Sequence, residues 1–422
     1  MENYIIMYVV RENKELSGEV TLSGSKNAAL PIIVAACLSE EKVTLHNVPS
    51  QLVDVKILLD LLNYVGFSIK KKNGDKLEFN NRNNILNYKV PVEASKIRYS
   101  LLLLSLLLEK NGKVKLPQPG GCSIGMREYD IHIDSLNKMG ADIKEENGSI
   151  KGVLEGHFNG QDFSFHTATT SGSENVIIAA TLAEGKTTIR NANTRPEVID
   201  MIKFLKVLGA RISHKTRYIE INGVDRINGG EFKIMNGRDE ALTYMILAGM
   251  KRGEVKINNF STDNIKTDVN LLKEIGIEIF EWGNNVYVNA KNKELKPFSL
   301  ATSPYPGINS DMQPLYAALA ASIEGESIIT DMRFKDRFQY VEEFKKFGIE
   351  ISNFSNYAII RGGKKLKGTN VVATDLRCGA ALLLLGCIAR GETKISDAYH
   401  IDRGYINIAD KLNSLGCKID SA

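Results

Sequence analysis

The chain has 422 residues, which exceeds the size of one ordinary hydrophobic core and predicts two or three domains. Hydrophobic residues make up 43% of it and charged residues 25%. These proportions are typical of globular proteins and exclude a disordered or collagen-like chain. The formal net charge is only +4, and no dense run of Lys and Arg stands out, so we expect no nucleic-acid partner.

The sequence shows no sign of a membrane segment, an export signal or a metal site. The longest apolar stretches, residues 101–108 and 380–389, are shorter than the roughly 20 residues that span a bilayer. The N-terminal segment lacks a basic region followed by a small-residue cleavage site, so we expect no signal peptide. The five cysteines are dispersed and the six histidines are scattered. We therefore expect a reducing cytoplasm, no metal and no cofactor.

A sixfold internal repeat organises the chain. Six times, a predicted helix ends at a glycine and is followed by a strand of alternating polar and apolar residues. The glycines are Gly66, Gly140, Gly209, Gly276, Gly348 and Gly416, so the repeat is about 70 residues long. Glycine takes the left-handed conformation at a helix end with little steric cost, and the alternation is typical of a half-buried strand.

A second signature precedes each of these glycines: an apolar helix, a polar turn and a strand. The turn residues are Glu41, Gly112, Gly185, Gly253, Gly325 and Gly391. Each repeat therefore predicts helix, strand, helix, strand and usually one more strand. The sixth copy lacks that last strand, and we expect the N-terminal strand YIIMYVV to complete it. The predicted fold is α/β with two lobes: residues 26–235 hold repeats one to three, and residues 1–25 with 236–422 hold repeats four to six.

The first helix of each repeat is strongly apolar but begins with polar side chains. Fourteen residues before the six turns stand Asn27, Arg98, Ser171, Asp239, Asp311 and Arg377. We expect these helices to direct their N-termini, which favour anions, toward the gap between the lobes. That gap would be strongly cationic because of Lys26, Arg98, Arg238 and Arg377. We predict a small substrate there that carries phosphate or carboxylate.

Helix capping is an alternative explanation for part of this set. Ser, Asn and Asp side chains are good caps of helix N-termini, and they stand at Asn27, Ser171, Asp239 and Asp311. Arginine is a poor cap, so for Arg98 and Arg377 the sequence favours ligand binding.

The second repeat carries an expanded segment, LPQPGGCSIGMREYDIHI, whose Pro and Gly residues predict a loop. Cys122 lies in this loop near Arg127, where a thiol ionises more readily and can act as acid or nucleophile. An ordinary loop cysteine is the alternative. Arg127, Arg337 and Arg403 stand 11 to 13 residues before the glycine of their repeat, which places them to approach the same gap. For Arg337 and Arg403 a surface salt bridge is the alternative.

Several segments together resemble one family. They are GEVTLSGSKNAALPI, PGGCSIGMR, SDMQ, DLRCGAALLLLGCIARGET and YHIDRGY, and the similarity extends over nearly the whole chain. The sequence resembles the enolpyruvyl transferases, in particular those that act on UDP-N-acetylglucosamine. The resemblance implies a two-lobed inside-out α/β barrel built from six repeats, with apolar helices inside and sheets outside.

The resemblance also implies an activity. The enolpyruvyl group of phosphoenolpyruvate would be transferred to the 3′-hydroxyl of UDP-N-acetylglucosamine with release of phosphate, the first committed step of peptidoglycan synthesis. An acid protonates C3 so that the hydroxyl adds at C2, and the tetrahedral intermediate then loses phosphate. Such an enzyme is expected to be a cytoplasmic monomer without a cofactor, to support cell wall biogenesis, cell shape and division, and to be a fosfomycin target.

The same resemblance implies roles for individual residues. Cys122 would deliver the proton to C3, Asp311 would act as general base or proton relay at the sugar hydroxyl, and Lys26 would take part in catalysis. The residues implied to bind phosphoenolpyruvate are Lys26, Asn27, Arg127, Arg377 and Arg403. Those implied to bind the UDP-sugar are Asn27, Arg98, Arg127, Glu128, Tyr129, Asp130, Ile131, Asp311 and Arg333.

The chain departs from the family pattern at a few positions. Glu128 and Tyr129 stand where the family usually has Pro and an apolar residue, Arg333 stands at an often apolar place, and Arg195 replaces an acid. These changes concern nucleotide recognition more than enolpyruvyl chemistry.

Two other functions stay open. One is an enolpyruvyl transferase of the shikimate pathway, which shares the fold and a Gly-Ser-Lys start. The other is a paralogue that binds a UDP-sugar without turning it over. Asn27 after Lys26 and the Cys122 loop favour the UDP-sugar enzyme, and a mere binder would need neither an acid nor a base.

Overall fold

A computed structural model describes residues 7–13, 15–82, 84–119, 129–334 and 337–422 of the chain. These residues form two compact units. Unit 1 comprises the described residues up to Ser23 together with Asn236–Ala422, and unit 2 comprises those from Gly24 to Met235.

The helices, in chain order, are α1 (Lys26–Ala36), α2 (Val53–Tyr64), α3 (Leu102–Asn111), α4 (Asp130–Lys138), α5 (Thr170–Thr181), α6 (Pro196–Val207), α7 (Arg238–Lys251), α8 (Lys266–Ile275), α9 (Gln313–Ala321), α10 (Val341–Lys345), α11 (Leu376–Ile388), α12 (Tyr399–Asp402) and α13 (Ile408–Ser414). Short 3₁₀ turns lie at Val92–Lys96, Arg98–Leu101, Thr262–Ile265 and Ser310–Met312. Among the described residues, no helix combines the length and the apolarity needed to cross a bilayer.

The strands are β1 (Met7–Arg11), β2 (Glu19–Thr21), β3 (Val43–His46), β4 (Ile69–Lys71), β5 (Leu77–Phe79), β6 (Lys113–Pro117), β7 (Asp142–Glu146), β8 (Ser149–Val153), β9 (Asp162–Ser164), β10 (Lys186–Arg190), β11 (Arg211–Lys215), β12 (Tyr218–Asn222), β13 (Gly230–Lys233), β14 (Glu254–Asn258), β15 (Glu278–Trp282), β16 (Asn285–Asn289), β17 (Ser299–Ala301), β18 (Gly325–Thr330), β19 (Glu350–Asn353), β20 (Tyr357–Gly362), β21 (Asn370–Val372), β22 (Glu392–Ser396) and β23 (Lys418–Ser421).

Each unit contains small sheets that join strands of neighbouring repeats. In unit 1 the strand orders are β21-β22-β1-β23, β15-β16-β14-β2 and β17-β18-β20-β19. In unit 2 they are β11-β12-β10-β9, β13-β3-β5-β4 and β6-β8-β7. The N-terminal strand β1 lies between β22 and β23 and is antiparallel to both. The parallel pairs, such as β13 with β3, connect the end of one repeat to the first strand of another.

The first helix of each repeat lies inside its unit. In unit 2, α1, α3 and α5 are almost entirely buried, and α3 packs against both α1 and α5. In unit 1, α7, α9 and α11 are buried in the same way and pack on one another. A helix that is apolar on every side is stable only when it is surrounded by protein, and the sheets supply that cover.

The six glycines of the first repeat signature have the predicted left-handed backbone. Their φ angles run from 87° at Gly348 to 115° at Gly276. At Gly66, a Cβ atom would lie 2.5 Å from the carbonyl oxygen of Ile85, so the helix end also needs the missing side chain for a close approach of the backbone. The periodic helix-to-strand turns predicted from the sequence are therefore confirmed.

Candidate active site

In unit 1, the N-termini of α7, α9 and α11 bring acidic and basic side chains together. Arg377, in the first turn of α11, donates a hydrogen bond to Asp239 in the first turn of α7. It also donates to the Tyr405 hydroxyl and lies in the field of Asp311. Burial opposes the charge on Arg377, but the Asp239 carboxylate outweighs it, so the pKa of the guanidinium is raised. Arg377 therefore stays charged and is held in one position.

Asp311 lies in the 3₁₀ turn that precedes α9. The side chain of Asn309 caps this turn by accepting the Asp311 N–H at 3.2 Å. Arg337 donates to Asp311 Oδ1 at 2.5 Å and to Ser310 Oγ at 2.9 Å. The Arg337 side chain is only 6% exposed, so the alternative of a surface salt bridge is wrong for this residue. Arg337 instead orients the Asp311 carboxylate from within the protein.

Arg333 lies in the exposed loop that follows β18. The buried Asp331 carboxylate shapes this loop, because it accepts the N–H groups of Arg333 and Phe334 at 2.9 and 3.0 Å. The guanidinium groups of Arg333 and Arg337 each lie 5.2 Å from the centre of the Phe334 ring, within cation–π range. The Phe334 ring thus connects Arg333 to the residue that orients Asp311.

Arg403 directly follows α12 and is half-buried. Burial, and next the charge of Arg403, lower the pKa of His400. The Tyr8 hydroxyl donates to Asp402 at 2.7 Å, which ties α12 to strand β1. The segment that carries Arg403 is therefore anchored to β1.

In unit 2, the candidates Lys26 and Asn27 begin α1. The cap of this helix is Ser25, whose Oγ accepts the Ala28 N–H at 3.3 Å. Lys26 Nζ lies 3.0 Å from Asp54 Oδ2 on α2, and the two side chains are 16% and 12% exposed. The ion pair orients Lys26, and an anionic ligand would have to compete with Asp54 for it.

A chain of polar side chains leads to Ser171 in the first turn of α5. Ser105 Oγ lies 2.6 Å from Asn175 Oδ1, and Asn175 Nδ2 lies 3.1 Å from His132 Nδ1. His132 Nε2 is in turn 3.1 Å from Ser171 Oγ. Burial, and secondarily the charge of Arg98, lower the pKa of His132 to about 3. The ring is therefore neutral.

This chain fixes the direction of each hydrogen bond. Because the Asn175 amide donates to Nδ1, neutral His132 carries its proton on Nε2. His132 then donates to Ser171, and the Ser171 hydroxyl keeps its own proton to donate elsewhere. Sequence reasoning missed His132 and Asn175, although a polar residue inside an otherwise apolar helix was a signal for the latter.

The start of α4 holds further candidates for UDP-sugar binding. The Tyr129 hydroxyl donates to Glu145 at 3.0 Å, and burial, followed by this bond, raises the pKa of Tyr129. Arg98 also acts on Tyr129, which places these two candidates near each other. Asp130 is exposed and Ile131 is half-buried. Three other candidates lie outside the described residues: Cys122, Arg127 and Glu128.

The capping alternative is wrong for the helix-start residues. The side chains that cap are Ser25 for α1, Thr169 for α5, Asn309 for the turn before α9 and Asp375 for α11. Helix α7 follows Gly237 without a side-chain cap. The candidates all stand at the second position of their helix or turn: Asn27, Ser171, Asp239 and Asp311. Capping therefore does not account for their polar side chains.

Carboxylates within each unit offset part of the positive charge that the sequence places at these helix starts. Lys26 is paired with Asp54 and Arg377 with Asp239. Arg238 acts on Asp268, a buried acid whose pKa desolvation raises to about 6. The sequence held one signal of these partners, which was the acidic residues in the first turns of α2 and α7. In the part of the chain that the structure describes, no three His, Cys, Asp or Glu side chains are arranged around a metal position.

A second cluster of acids and bases lies beside α5. Arg195 binds Glu197 through two hydrogen bonds of 2.7 and 3.0 Å. Glu174 is fully buried, and neither of its carboxyl oxygens has a hydrogen-bond partner among the described residues. Burial raises the pKa of Glu174 to about 8, although the charge of Arg195 acts in the other direction. Glu174 is therefore mostly protonated at pH 7.

We expect Glu174 to make the free energy of unfolding fall as the pH rises from 5 to 8. Its carboxyl ionises near pH 4.5 when unfolded but near 8 when folded, so stability present below the unfolded pKa is lost as the pH rises through the folded pKa. The Glu174→Gln variant lacks this titration, so its free energy of unfolding should fall by roughly 3 kcal/mol less than that of the parent between pH 5 and pH 8. Urea unfolding at three pH values measures the difference, and equal pH dependence of the two proteins would contradict a protonated Glu174.

Comparisons with known proteins agree on one family. The sequence profile of EPSP synthase (3-phosphoshikimate 1-carboxyvinyltransferase) matches residues 10–412. The UDP-N-acetylglucosamine 1-carboxyvinyltransferase of Wolbachia pipientis subsp. Culex pipiens is 40% identical over 421 residues, which cover 97% of this chain and 98% of that relative. The chain belongs to the enolpyruvyl transferase family.

Other relatives of this enolpyruvyl transferase support the same assignment. The UDP-N-acetylglucosamine 1-carboxyvinyltransferase of Coxiella burnetii strain Dugway 5J108-111 is 41% identical, over 96% of this chain and 93% of its own. The crystal structure of the enolpyruvyl transferase NikO from Streptomyces tendae superposes with a TM-score of 0.88 at 21% identity, over 98% of each chain. An EPSP synthase from Acinetobacter baumannii superposes with a TM-score of 0.79 at 16% identity, over 98% of this chain and 100% of its own. The predicted inside-out α/β fold is confirmed, and the chain is a carboxyvinyltransferase.

Proposed function

We propose that the chain transfers the enolpyruvyl group of phosphoenolpyruvate to the 3′-hydroxyl of UDP-N-acetylglucosamine and releases phosphate, the first committed step of peptidoglycan synthesis. The observation that carries the proposal is identity of about 40% over nearly the full length to enzymes named for this reaction. We assign the reaction to the cytoplasm, where it supports cell shape and division.

In unit 1, Asp311 serves as the base. Addition of a sugar hydroxyl to C2 requires removal of its proton, and a positioned carboxylate is suited to accept it. Arg337 supports this role because it holds the carboxylate in one orientation through a hydrogen bond of 2.5 Å. Arg377 and Arg403 bind the anionic groups of phosphoenolpyruvate and stabilise the charge that moves onto the departing phosphate. Asp239 keeps Arg377 in place until the substrate arrives.

In unit 2, Lys26 and Asn27 act on phosphoenolpyruvate at the start of α1, and Lys26 exchanges Asp54 for a substrate anion. Cys122 delivers the proton to C3, and Arg127 binds both substrates. The remaining proposed contacts to the UDP-sugar come from Arg98, Glu128, Tyr129, Asp130 and Ile131 in this unit and from Arg333 in unit 1. The Ser171 hydroxyl is free to donate to the same anionic ligand as Arg98. The two residues are near each other, because the charge of Arg98 acts on the His132 ring that donates to Ser171.

A two-substrate assay tests the function. Phosphate release from phosphoenolpyruvate should require UDP-N-acetylglucosamine and should not occur with shikimate 3-phosphate. Phosphate release from phosphoenolpyruvate with shikimate 3-phosphate, and none with UDP-N-acetylglucosamine, would establish the shikimate-pathway alternative. Tight binding of the UDP-sugar without any phosphate release would establish a non-catalytic paralogue.

We expect fosfomycin to label Cys122 and no other cysteine. The epoxide of this phosphonate opens on a thiolate, and a phosphonate-binding group must hold it near that sulfur. The cysteines among the described residues are all buried: Cys37, Cys378, Cys387 and Cys417. Burial further raises the pKa of Cys37 and of Cys378. Peptide mass spectrometry should find the adduct on the peptide of residue 122, and a Cys122→Ser variant should take up none; an adduct on a buried cysteine would contradict the assignment.

A further inference from the structure

A cavity of about 780 Å³ lies at the C-terminal ends of α1, α3 and α5, entirely within unit 2. These helices carry the candidate substrate-binding residues at their other ends. Helix α1 has 11 residues, so roughly 16 Å of helix separates the cavity from Lys26. The cavity is therefore distinct from the candidate active site.

The three repeats of unit 2 contribute equivalent residues to the cavity floor. Three residues before the turn of each repeat stand Leu38, Glu109 and Leu182, and all three line the cavity. With the buried Ile227, the two leucines form an apolar floor. In the second repeat, Glu109 stands where the other two repeats have leucine, and its side chain is only 1% exposed. An acid at a position that is apolar in the other two repeats requires a polar partner.

His157 is that partner, and it has a counterpart in the next repeat. His157 Nδ1 lies 2.6 Å from Glu109 Oε1, and this hydrogen bond raises the pKa of His157. Its counterpart is Arg226: each of the two stands three residues before a glycine, Gly160 or Gly229, where a Cβ would lie 2.4 Å from a backbone carbonyl oxygen. Both residues line the cavity. Two repeats thus place a basic side chain at the same position of the fold.

The first repeat supplies a third basic side chain from the corresponding segment after its last strand. Arg82 follows β5 as His157 follows β8 and Arg226 follows β12, and it also lines the cavity. Among the described residues, neither Arg82 nor Arg226 forms an ion pair. The other two basic residues of the lining are already paired, Lys110 with Glu40 and Lys42 with Glu78, at 3.0 Å each.

The ends of the surrounding helices do not oppose an anion as strongly as bare helix C-termini would. The carbonyl of Leu108 in α3 accepts the Gly112 N–H at 2.9 Å, and that of Thr181 in α5 accepts the Val224 N–H at 3.1 Å. Occupied carbonyls carry a smaller negative potential into the cavity than free ones.

The lining also holds four acidic residues. Glu40 is paired with Lys110 and Glu109 with His157, and Glu41 accepts the Gly229 N–H at 2.9 Å. Asp225 is exposed, so solvent screens its charge.

We propose that this cavity binds a phosphate-bearing metabolite. Arg82, His157 and Arg226 come from three equivalent segments, and two guanidinium groups beside an imidazole suit the terminal oxygens of a phosphate monoester. The apolar floor takes the remainder of the molecule, and the volume is that of an ordinary small-molecule site.

The test uses inorganic phosphate as probe and the His157 ring as reporter. The full-length protein, labelled with ¹⁵N in its six histidines, is titrated with phosphate while chloride keeps the ionic strength constant. A His157→Gln variant identifies the signal. We expect a saturable shift of the His157 signal, with affinity weakened roughly tenfold in Arg82→Ala and in Arg226→Ala. Arg211→Ala removes one exposed charge on β11 and should leave the affinity unchanged.

Several outcomes would overturn the proposal. One is a His157 shift that does not saturate with phosphate, since it would reflect only screening by ions. A second is an equal shift with acetate, since the cavity would then not distinguish phosphate from a carboxylate. Another is a shift confined to His132 and His400, because phosphate would then bind only near the candidate active site. Equal affinities in the parent and in both arginine variants would also refute it. The two-substrate rate of the arginine variants should stay at the parent value, so the proposal can fail while the proposed function stands.

Discussion

Asp311→Asn lowers kcat by about 10² to 10⁴-fold and leaves the KM for both substrates nearly unchanged. The asparagine has the same shape and can still accept from Arg337, but it cannot take the proton of the sugar hydroxyl. The loss should therefore fall on the chemical step and not on binding. Steady-state phosphate release with both substrates measures the effect, and substrate binding by the variant is checked by calorimetry.

Variants at Arg337 provide the control for this prediction. Arg337 is almost fully buried and donates to Asp311 and Ser310, so it acts as a positioning residue. Arg337→Lys keeps the charge and should retain more kcat than Arg337→Gln, with KM little changed in either. If Asp311→Asn keeps full kcat, or if it loses only substrate affinity, Asp311 is not the base.

Arg377→Ala should lower both activity and stability. Loss of an anion-stabilising donor typically costs about 10² to 10³-fold in kcat/KM. The variant also leaves Asp239, whose side chain is only 13% exposed, without its partner, and the buried Oδ1 of Asp239 already lacks one among the described residues. Breaking a buried ion pair on one side costs roughly 3 to 5 kcal/mol. Phosphate-release kinetics and urea unfolding measure the two losses separately.

The double variant Arg377→Ala/Asp239→Ala distinguishes catalysis from packing. It removes both charges, so much of the lost stability should return, because no unpaired carboxylate is left in the protein. The activity should not return, because no guanidinium is left for phosphoenolpyruvate. Full activity in the double variant would show that Arg377 serves only to neutralise Asp239.

Local sequence patterns predicted helix ends well and helix caps poorly. The glycine after each second helix is recognisable because the left-handed backbone at that one position favours glycine over every other residue. Caps are harder, since polar residues such as Ser25 and Asn27 stand close together at the same helix start. Which of them accepts the backbone N–H depends on a shift of one or two residues, and the structure assigned that role to Ser25.

Pairing between charged side chains could not be predicted in the same way. Lys26 meets Asp54 from 28 positions away, and Arg377 meets Asp239 from 138 positions away. The sequence showed the basic residues as a concentration of positive charge, because they recur at the same place in the repeats. Asp239 stands at one of these repeated positions and Asp54 in the first turn of α2, but only the packing of α1 on α2 and of α7 on α11 identifies which base each acid meets.

The sequence by itself determined the repeat, the α/β class and the family, because each depends on residue patterns that recur along the chain or over its whole length. The tertiary structure alone decided which charges are neutralised, that Arg337 orients Asp311, that neutral His132 leaves the Ser171 proton available, and that three equivalent segments of unit 2 line one cavity. These properties depend on distances and burial between residues far apart in the chain, and electrostatic interactions change steeply with both.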